Sequence, residues 1–322
     1  MLRFILQRAL YALPLIFVII VVMFTLLHLI PGDPVQSLVG DYPVPPAYRA
    51  VIEEKYRLND PFVVQVGNYV VAVLHGDFGF SYQNQRPVLD LILERAPRTI
   101  LLASVGFAFA IPLGMAIGVV AGTTRNPGTD KFWTTSALIA YAIPTFWLGQ
   151  LLVMLFALRF GWFPTQGIGP LISRAHGFDW LLEKARYLAL PVLAFAIHEG
   201  MRFARIMRAS VIDTLSQGYI VTARAKGLSR GQIIRNHILR NSSLPLVTIA
   251  GYSFGSALGG AVLLETVFTW PGLGLLMVDS IRLRDNLTVI GVVIFSALAV
   301  IVMNLIVDIL YALLDPRIRT AG

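Results

Sequence analysis

Five uncharged apolar runs dominate the chain: Ala9 to Ile30, Thr99 to Thr124, Phe132 to Leu158, Asn241 to Leu264, and Asn286 to Val307 continuing past Asp308 to Leu314. A helix that crosses a bilayer needs about 20 mostly apolar residues, because hydrocarbon forces every backbone polar group to be satisfied within the helix. Each run meets that demand. Tyr187 to Arg205 is read as a sixth span, although His198, Glu199, Arg202 and Arg205 occupy its second half. The pattern predicts an all-α integral membrane protein with six transmembrane helices.

The polar stretches between the runs carry their own pattern. Pro31-Gly-Asp-Pro34 stops the first span, because proline cannot continue a helix and restricts the residue before it. In the segment 31–98 that follows, Tyr48 to Leu58 has mixed helical spacing and Asn59-Asp-Pro61 signals a turn. Phe62 to Leu74 reads as an interfacial amphipathic helix, and Gly76-Asp-Phe-Gly-Phe-Ser81 as a loop. This segment is expected to form a small extracytoplasmic subdomain. Thr266 to Val278, with Trp270-Pro-Gly-Leu-Gly274, is too short to span and reads as re-entrant or interfacial. Between Ser210 and Leu244, apolar residues at Val211, Ile212, Leu215, Ile220 and Val221, then at Leu228, Ile233, Ile234, Ile238 and Leu239, predict two or three short amphipathic helices. Gly227 interrupts them. Arg224 and Lys226 make this stretch basic, suited either to a soluble partner at the membrane surface or to anionic lipid.

Glycines recur at spacing four inside two spans, at Gly114, Gly118 and Gly122 and at Gly251, Gly255 and Gly259. Each set lies on one helix face and permits close helix approach, within the chain or at a subunit interface.

Composition agrees with a membrane protein: of 322 residues, 56% are hydrophobic and 14% charged, and the mean hydropathy is +0.71. Charge placement sets the orientation. With both termini inside, the cytoplasmic segments and their membrane edges hold 14 basic and three acidic residues, and the external ones 12 basic and 13 acidic. The net charge of +8 follows from that topology, and no basic helix interleaved with stacking aromatics suggests nucleic acid. The absence of cysteine excludes disulfides and thiolate metal sites. The first run is longer than a signal-peptide core and shows no small-residue cleavage site, so it reads as a retained span.

Apparent catalytic motifs dissolve on inspection. Gly251-Tyr-Ser-Phe-Gly255 matches G-x-S-x-G, but that elbow needs a strand, a tight turn and a helix, whereas this stretch lies inside a span. His198-Glu-Gly-Met-Arg202 begins like H-E-x-x-H with arginine at the second histidine position, and the five histidines are scattered. The chain has no G-x-x-x-x-G-K-[ST], so any ATP must be handled elsewhere, and the chain itself is not expected to be an enzyme or to hold a cofactor or metal. Glu199 and Arg202, three apart on one helix, can pair, with Arg205 and Arg208 extending the row. Glu199, Arg202 and Asp308 are candidate pathway or gate residues; the alternative is a helix end whose arginines reach toward headgroups.

The motif Thr222-Ala-Arg-Ala-Lys-Gly-Leu228 resembles the coupling motif of bacterial ABC-importer permeases, in particular the dipeptide, oligopeptide and nickel permease group. The resemblance extends to His28-x-x-Pro31-Gly-Asp-Pro34, Gly76-Asp-Phe-Gly79-x-Ser81, His237-x-Leu-Arg-Asn241, Glu265-Thr-Val-Phe-x-Trp-Pro-Gly-Leu-Gly274 and the Asn304 to Arg319 stretch. It implies the type I importer architecture, with Thr222, Ala223, Arg224, Ala225, Lys226, Gly227 and Leu228 docking into a cytoplasmic ATPase. The generic motif opens Glu-Ala-Ala, whereas the aligned positions here are Val221-Thr222-Ala223, as in the peptide-type subgroup.

The expected organisation is an N-terminal segment and first span over 1–30, the external segment over 31–98, a five-helix permease core over 99–314 with the coupling loop at 206–244, and a tail at 315–322. The resemblance further implies a bacterial inner-membrane subunit for di- or oligopeptide import, paired with a homologous permease. Two partner ATPases would supply ATP and magnesium, and an external binding protein the solute. Nickel complexes, glutathione-like solutes or an ATP-independent channel are the alternatives, and an intramembrane hydrolase is the most remote.

Overall fold

The computed structural model describes residues 2–29, 35, 45–55, 60–170, 176–258 and 261–314. The Pro31-Gly-Asp-Pro34 stop, residues 56–59, Gly259 of the second ladder, and the tail with Arg317 and Arg319 lie outside the described residues, as does the side chain of Asp308.

In chain order the helices are α1 (Leu2–His28), α2 (Pro46–Lys55), α3 (Phe62–Leu74), α4 (Val88–Thr123), α5 (Pro127–Ala142) and α6 (Thr145–Leu152). Then come α7 (Phe178–Leu215), α8 (Gly218–Ala225), α9 (Arg230–Ile233), α10 (Leu239–Leu258), α11 (Val262–Val267), α12 (Leu273–Arg282) and α13 (Asn286–Leu314). Two wider π-helical stretches continue α6 and α9, over Val153–Arg159 and Ile234–Ile238. Among the described residues the strands are a single hairpin, β1 (Phe80–Ser81) and β2 (Arg86–Pro87), antiparallel with Phe80 opposite Pro87. The chain divides into two compact units, one of residues 1–100, 255–262 and 271–322, the other of residues 101–254 and 263–270.

In the first unit, buried residues of α1 (Ile20, Phe24), α2 (Ile52), α3 (Val66, Tyr69, Val73), the start of α4 (Val88, Ile92), α12 (Leu273, Leu276) and α13 (Leu287, Ile290) form one core. The described residues of the 31–98 segment therefore share a core with the helices around them. Asp285 joins its hairpin to α13: the buried carboxylate accepts bonds from Ser81 Oγ (2.5 Å) and Thr288 Oγ1 (2.8 Å), placed as a helix N-cap requires. The Thr266 to Val278 stretch is a helix end, a turn and α12. Thr269 takes a left-handed φ of 47°, Trp270 N–H bonds to Glu265 O, and Thr99 Oγ1 accepts the Leu273 N–H that opens α12.

The second unit is organised around α7. A Cβ placed on Gly114, Gly118 or Gly122 of α4 would lie 2.5 to 2.7 Å from side-chain atoms of Phe203, Met207 or Val211, and Gly200 faces Ala110 and Leu113 in return. The first ladder is thus a contact within the chain, closed by helix backbones that only small residues let so near. From the second ladder, Gly255 meets Met303 in the first unit, with the Cβ position 3.3 Å from Met303 Cβ.

The expected Phe132 to Leu158 span departs from the prediction. α5 stops at Ala142, Ile143 is extended, and α6 restarts after Pro144 at a bend of 96°. Proline excludes the helical conformation from the residue before it and has no N–H to continue the ladder, which accounts for the break. Likewise the Asn241 to Leu264 run is divided between α10 and α11. Among the described residues, Val88–Thr123 and Asn286–Val307 are long and apolar enough to cross a membrane, and the bent pair is a third if counted as one span.

Replacing Gly118 by leucine should lower the melting temperature of the detergent-solubilised protein, at a packing cost of about 1–3 kcal/mol. Gly67→Ala, on α3 with no atom within 4 Å of the added methyl, should leave it unchanged or raise it. Equal melting temperatures for both variants would contradict the close approach of α4 and α7.

Candidate functional site

The basic loop is built from local signals. α8 ends in a left-handed Gly227 (φ 78°), with Gly227 N–H bonded to Arg224 O and Leu228 N–H to Ala223 O, so the helix carbonyls are satisfied as the chain turns. Ser229 then opens α9 through a capping box: its Oγ accepts from Gln232 N–H, and Gln232 Oε1 accepts from Ser229 N–H.

Burial sorts the seven predicted coupling residues. Ala223 is buried and Leu228 half-buried, whereas Thr222, Arg224, Ala225, Lys226 and Gly227 are exposed, as is the apolar Val221 at 63%. Ile220, Ala223, Ile233 and Ile238 form the inward face. The loop is anchored at two places. Arg230 Nη2 donates to Thr123 O (2.6 Å), a carbonyl left open at the end of α4. Where the loop leaves α7 and enters α10, Thr214 Oγ1 and Ser242 Oγ are 2.9 Å apart, and Ser242 Oγ donates to Ser210 O (3.1 Å).

The charged residues of α7 are distributed between neighbouring helices. Arg202 Nη1 reaches Glu199 Oε2 (3.3 Å), and its Nη2 donates to Ser253 Oγ of α10 (2.8 Å). Ser253 in turn donates to Ile249 O (2.8 Å) within an unbroken helix. Ser253 is therefore a polar contact for the guanidinium, and the strand-turn-helix context of a hydrolase elbow is missing. Toward α5, Arg208 grips Asp130 with Nε–Oδ1 at 2.7 Å and Nη2–Oδ2 at 2.6 Å, and Thr134 adds a bond to Oδ1. The hydrogen bonds from Arg208 hold the Asp130 carboxyl below its ordinary pKa and raise that of Arg208. Tyr141 of α5 stacks on His198, with ring centroids 5.1 Å apart, and carries the Arg205 guanidinium 5.5 Å from its ring centre.

The geometry brings Glu199 and Arg202 together as the sequence spacing suggested. Asp308 lies on α13 in the other unit. Five residues escaped the sequence reading: Asp130, Tyr141, Arg230, Thr214 and Ser242. Asp130 carried a signal, being an acid in the first turn of a helix beside a predicted inner loop; the others lie 28 to 107 residues from their partners.

The chain matches the family described as Binding-protein-dependent transport system inner membrane component over residues 114–320, and the N-terminal component of such systems over 1–103. It is 38% identical to the oligopeptide transport system permease protein AppB of Bacillus subtilis over 320 residues, covering 99% of this chain and all of that one. To the glutathione transport system permease protein GsiC of Escherichia coli K12 it is 37% identical over 322 residues, covering 99% of each. Among solved structures, the inward facing MetNI methionine ABC transporter superposes with a TM-score of 0.58 over 70% of this chain and 96% of that one. At 16% identity this is a likeness of fold. The chain belongs to the binding-protein-dependent transport system inner membrane components, within the dipeptide, oligopeptide and nickel group of ABC-importer permeases.

Proposed function

We propose that the chain is the first of two permease subunits of an ATP-driven importer for di- or oligopeptides. Six spans with both termini cytoplasmic frame a path shared with a homologous permease in the bacterial inner membrane. Two ATPases bind inside, and a binding protein delivers solute outside. Relatives named for oligopeptide and glutathione transport support a peptide-type solute.

The observation that carries this reading is the division of α8 into an inward side, Ile220 and Ala223, and exposed residues, Thr222 and Arg224, with the exposed Lys226 just past its end. A short helix seated on the permease and open to the cytosol is a docking element for a partner with an acidic or polar groove. ATP-driven closure of the ATPases would move α8, and the Arg230 and Thr214–Ser242 anchors would pass that motion to α4, α7 and α10. Glu199 and Arg202, linked to α10 through Ser253, stand where such motion would open or close the path; Asp308 is the third candidate gate residue.

Charge reversal at Arg224 and Lys226 together, or Gly227→Val, should lower ATP-dependent uptake of tri-alanine more than tenfold at normal membrane abundance and weaken co-purification of the ATPases. Undiminished uptake and association would refute the coupling role, and uptake that persists without ATP would favour the channel alternative. Ser253→Ala should cost little transport because Arg202 keeps Glu199, whereas Arg202→Ala, which leaves Glu199 without that partner, should cost at least tenfold. A complete loss with Ser253→Ala at normal expression would instead revive the hydrolase reading. The Asp130 carboxyl is lowered, so its stabilising pair is fully formed above the ordinary carboxylate pKa and is lost only as pH falls through the lowered value. Asp130→Asn should therefore reduce transport by a constant factor between pH 5.5 and 8, measured as initial uptake rates; a factor that changes with pH in that window would show that the carboxylate titrates there.

A further inference from the structure

Of the three arginines on the inner half of α7, two are held by carboxylates and Arg205 is held by a ring. Depth along the helix follows from two contacts. The coupling loop touches the end of α4 through Arg230 and Thr123 O, and α5 begins a few residues later, with Asp130 in its first turn held by Arg208. Arg208 therefore sits at the same end of the bundle as the loop. At 1.5 Å rise per residue, Arg205 lies about 4.5 Å further in, Arg202 about 9 Å and His198 about 15 Å, in a hydrocarbon layer of about 30 Å.

Arg208 has Asp130, and Arg202 has Glu199 and Ser253. Arg205 is exposed and, among the described residues, has no carboxylate partner; its guanidinium rests on the Tyr141 ring. Tyr141 has a second partner on α7. His198, two turns from Arg205 on α7, stacks on the same ring with centroids 5.1 Å apart, and the Arg205 guanidinium lies 5.5 Å from the ring centre. His198 Nδ1 is buried with no hydrogen-bond partner, further polar capacity in the same cluster. A guanidinium at this depth is costly against lipid tails and is stabilised where it meets water and an anion. An aromatic ring behind a cation orients it without neutralising it.

We propose that Arg205, positioned by Tyr141 and His198, is a carboxylate-binding station on the solute path, holding the C-terminal carboxylate of a peptide in transit. The bidentate geometry of guanidinium and carboxylate suits that role. The inference rests on the peptide-importer reading. The same guanidinium chemistry would also serve an inner-leaflet lipid phosphate, and the experiment separates the two.

The chain has no cysteine, so Arg205→Cys gives a single thiol in the otherwise unaltered sequence. In the complete importer reconstituted with its ATPases, permease partner and binding protein, a membrane-impermeant methanethiosulfonate should modify that thiol. In parallel, uptake of tri-alanine and of its C-terminal amide is compared in wild type, Arg205→Gln and Arg205→Lys. Because the same binding protein serves all three, a change in the acid-to-amide ratio belongs to this chain. Arg205→Gln should reduce the preference for the free acid about tenfold, as expected for loss of about 1.4 kcal/mol, and Arg205→Lys should retain most of it. A thiol at 205 that the reagent never reaches, or an acid-to-amide ratio equal in wild type and Arg205→Gln as a lipid contact would leave it, overturns the station while leaving the importer reading intact. A wild-type importer that moves neither peptide overturns both.

Discussion

The close approach of α4 and α7 is the constraint on which the second unit depends. Three glycines in register leave no room for side chains, so the backbone of α4 lies against Phe203, Met207 and Val211. In lipid, where apolar surface gives helices little reason to prefer each other over tails, such contact is what fixes relative position. It also fixes rotation. With 200, 203, 207 and 211 committed to α4, residues 198, 205 and 208 are turned to α5, and 202 reaches α10. The polar contacts of α7 are consequences of where its apolar face is spent.

That division explains why a charged helix survives in an apolar protein. Each arginine on the second half of α7 meets a different chemistry: a carboxylate one turn away, a bidentate aspartate on the next helix, or an aromatic face. The costs differ accordingly. A guanidinium gripped at both nitrogens is part of the architecture, whereas one lying on a ring keeps its hydrogen-bond donors available.

Much of this was legible in the sequence, and for identifiable reasons. The Ala223 to Gly227 stretch could be read because it is governed by neighbours in sequence: a left-handed glycine ends α8, and helical spacing marks its inward face. Ser229-x-x-Gln232 is equally local, a capping box that the reading of the loop passed over. The glycine spacing announced close packing but not its partner, since only the fold decides which helix lies opposite. The break at Pro144 was missed because the search for apolar runs weighs hydropathy and ignores backbone geometry; the proline was there to be read. Arg202 with Ser253, Arg208 with Asp130, and Tyr141 with both His198 and Arg205 join residues tens of positions apart, and nothing in local pattern pairs them.

The turn between α8 and α9 has a mechanical side. Its carbonyls are closed by Gly227 and Leu228, and its donors by the Ser229 and Gln232 side chains, so its bonds are internal. Such a turn has little slack to take up: pushed at one end, it moves as a rigid knuckle before it deforms. Compliance is then concentrated at its moorings, a guanidinium on the last carbonyls of α4 and a pair of hydroxyls between α7 and α10. Each is a neutral or singly charged hydrogen bond that breaks and reforms at small cost, so the turn is stiffer within itself than in its attachment to the helices around it.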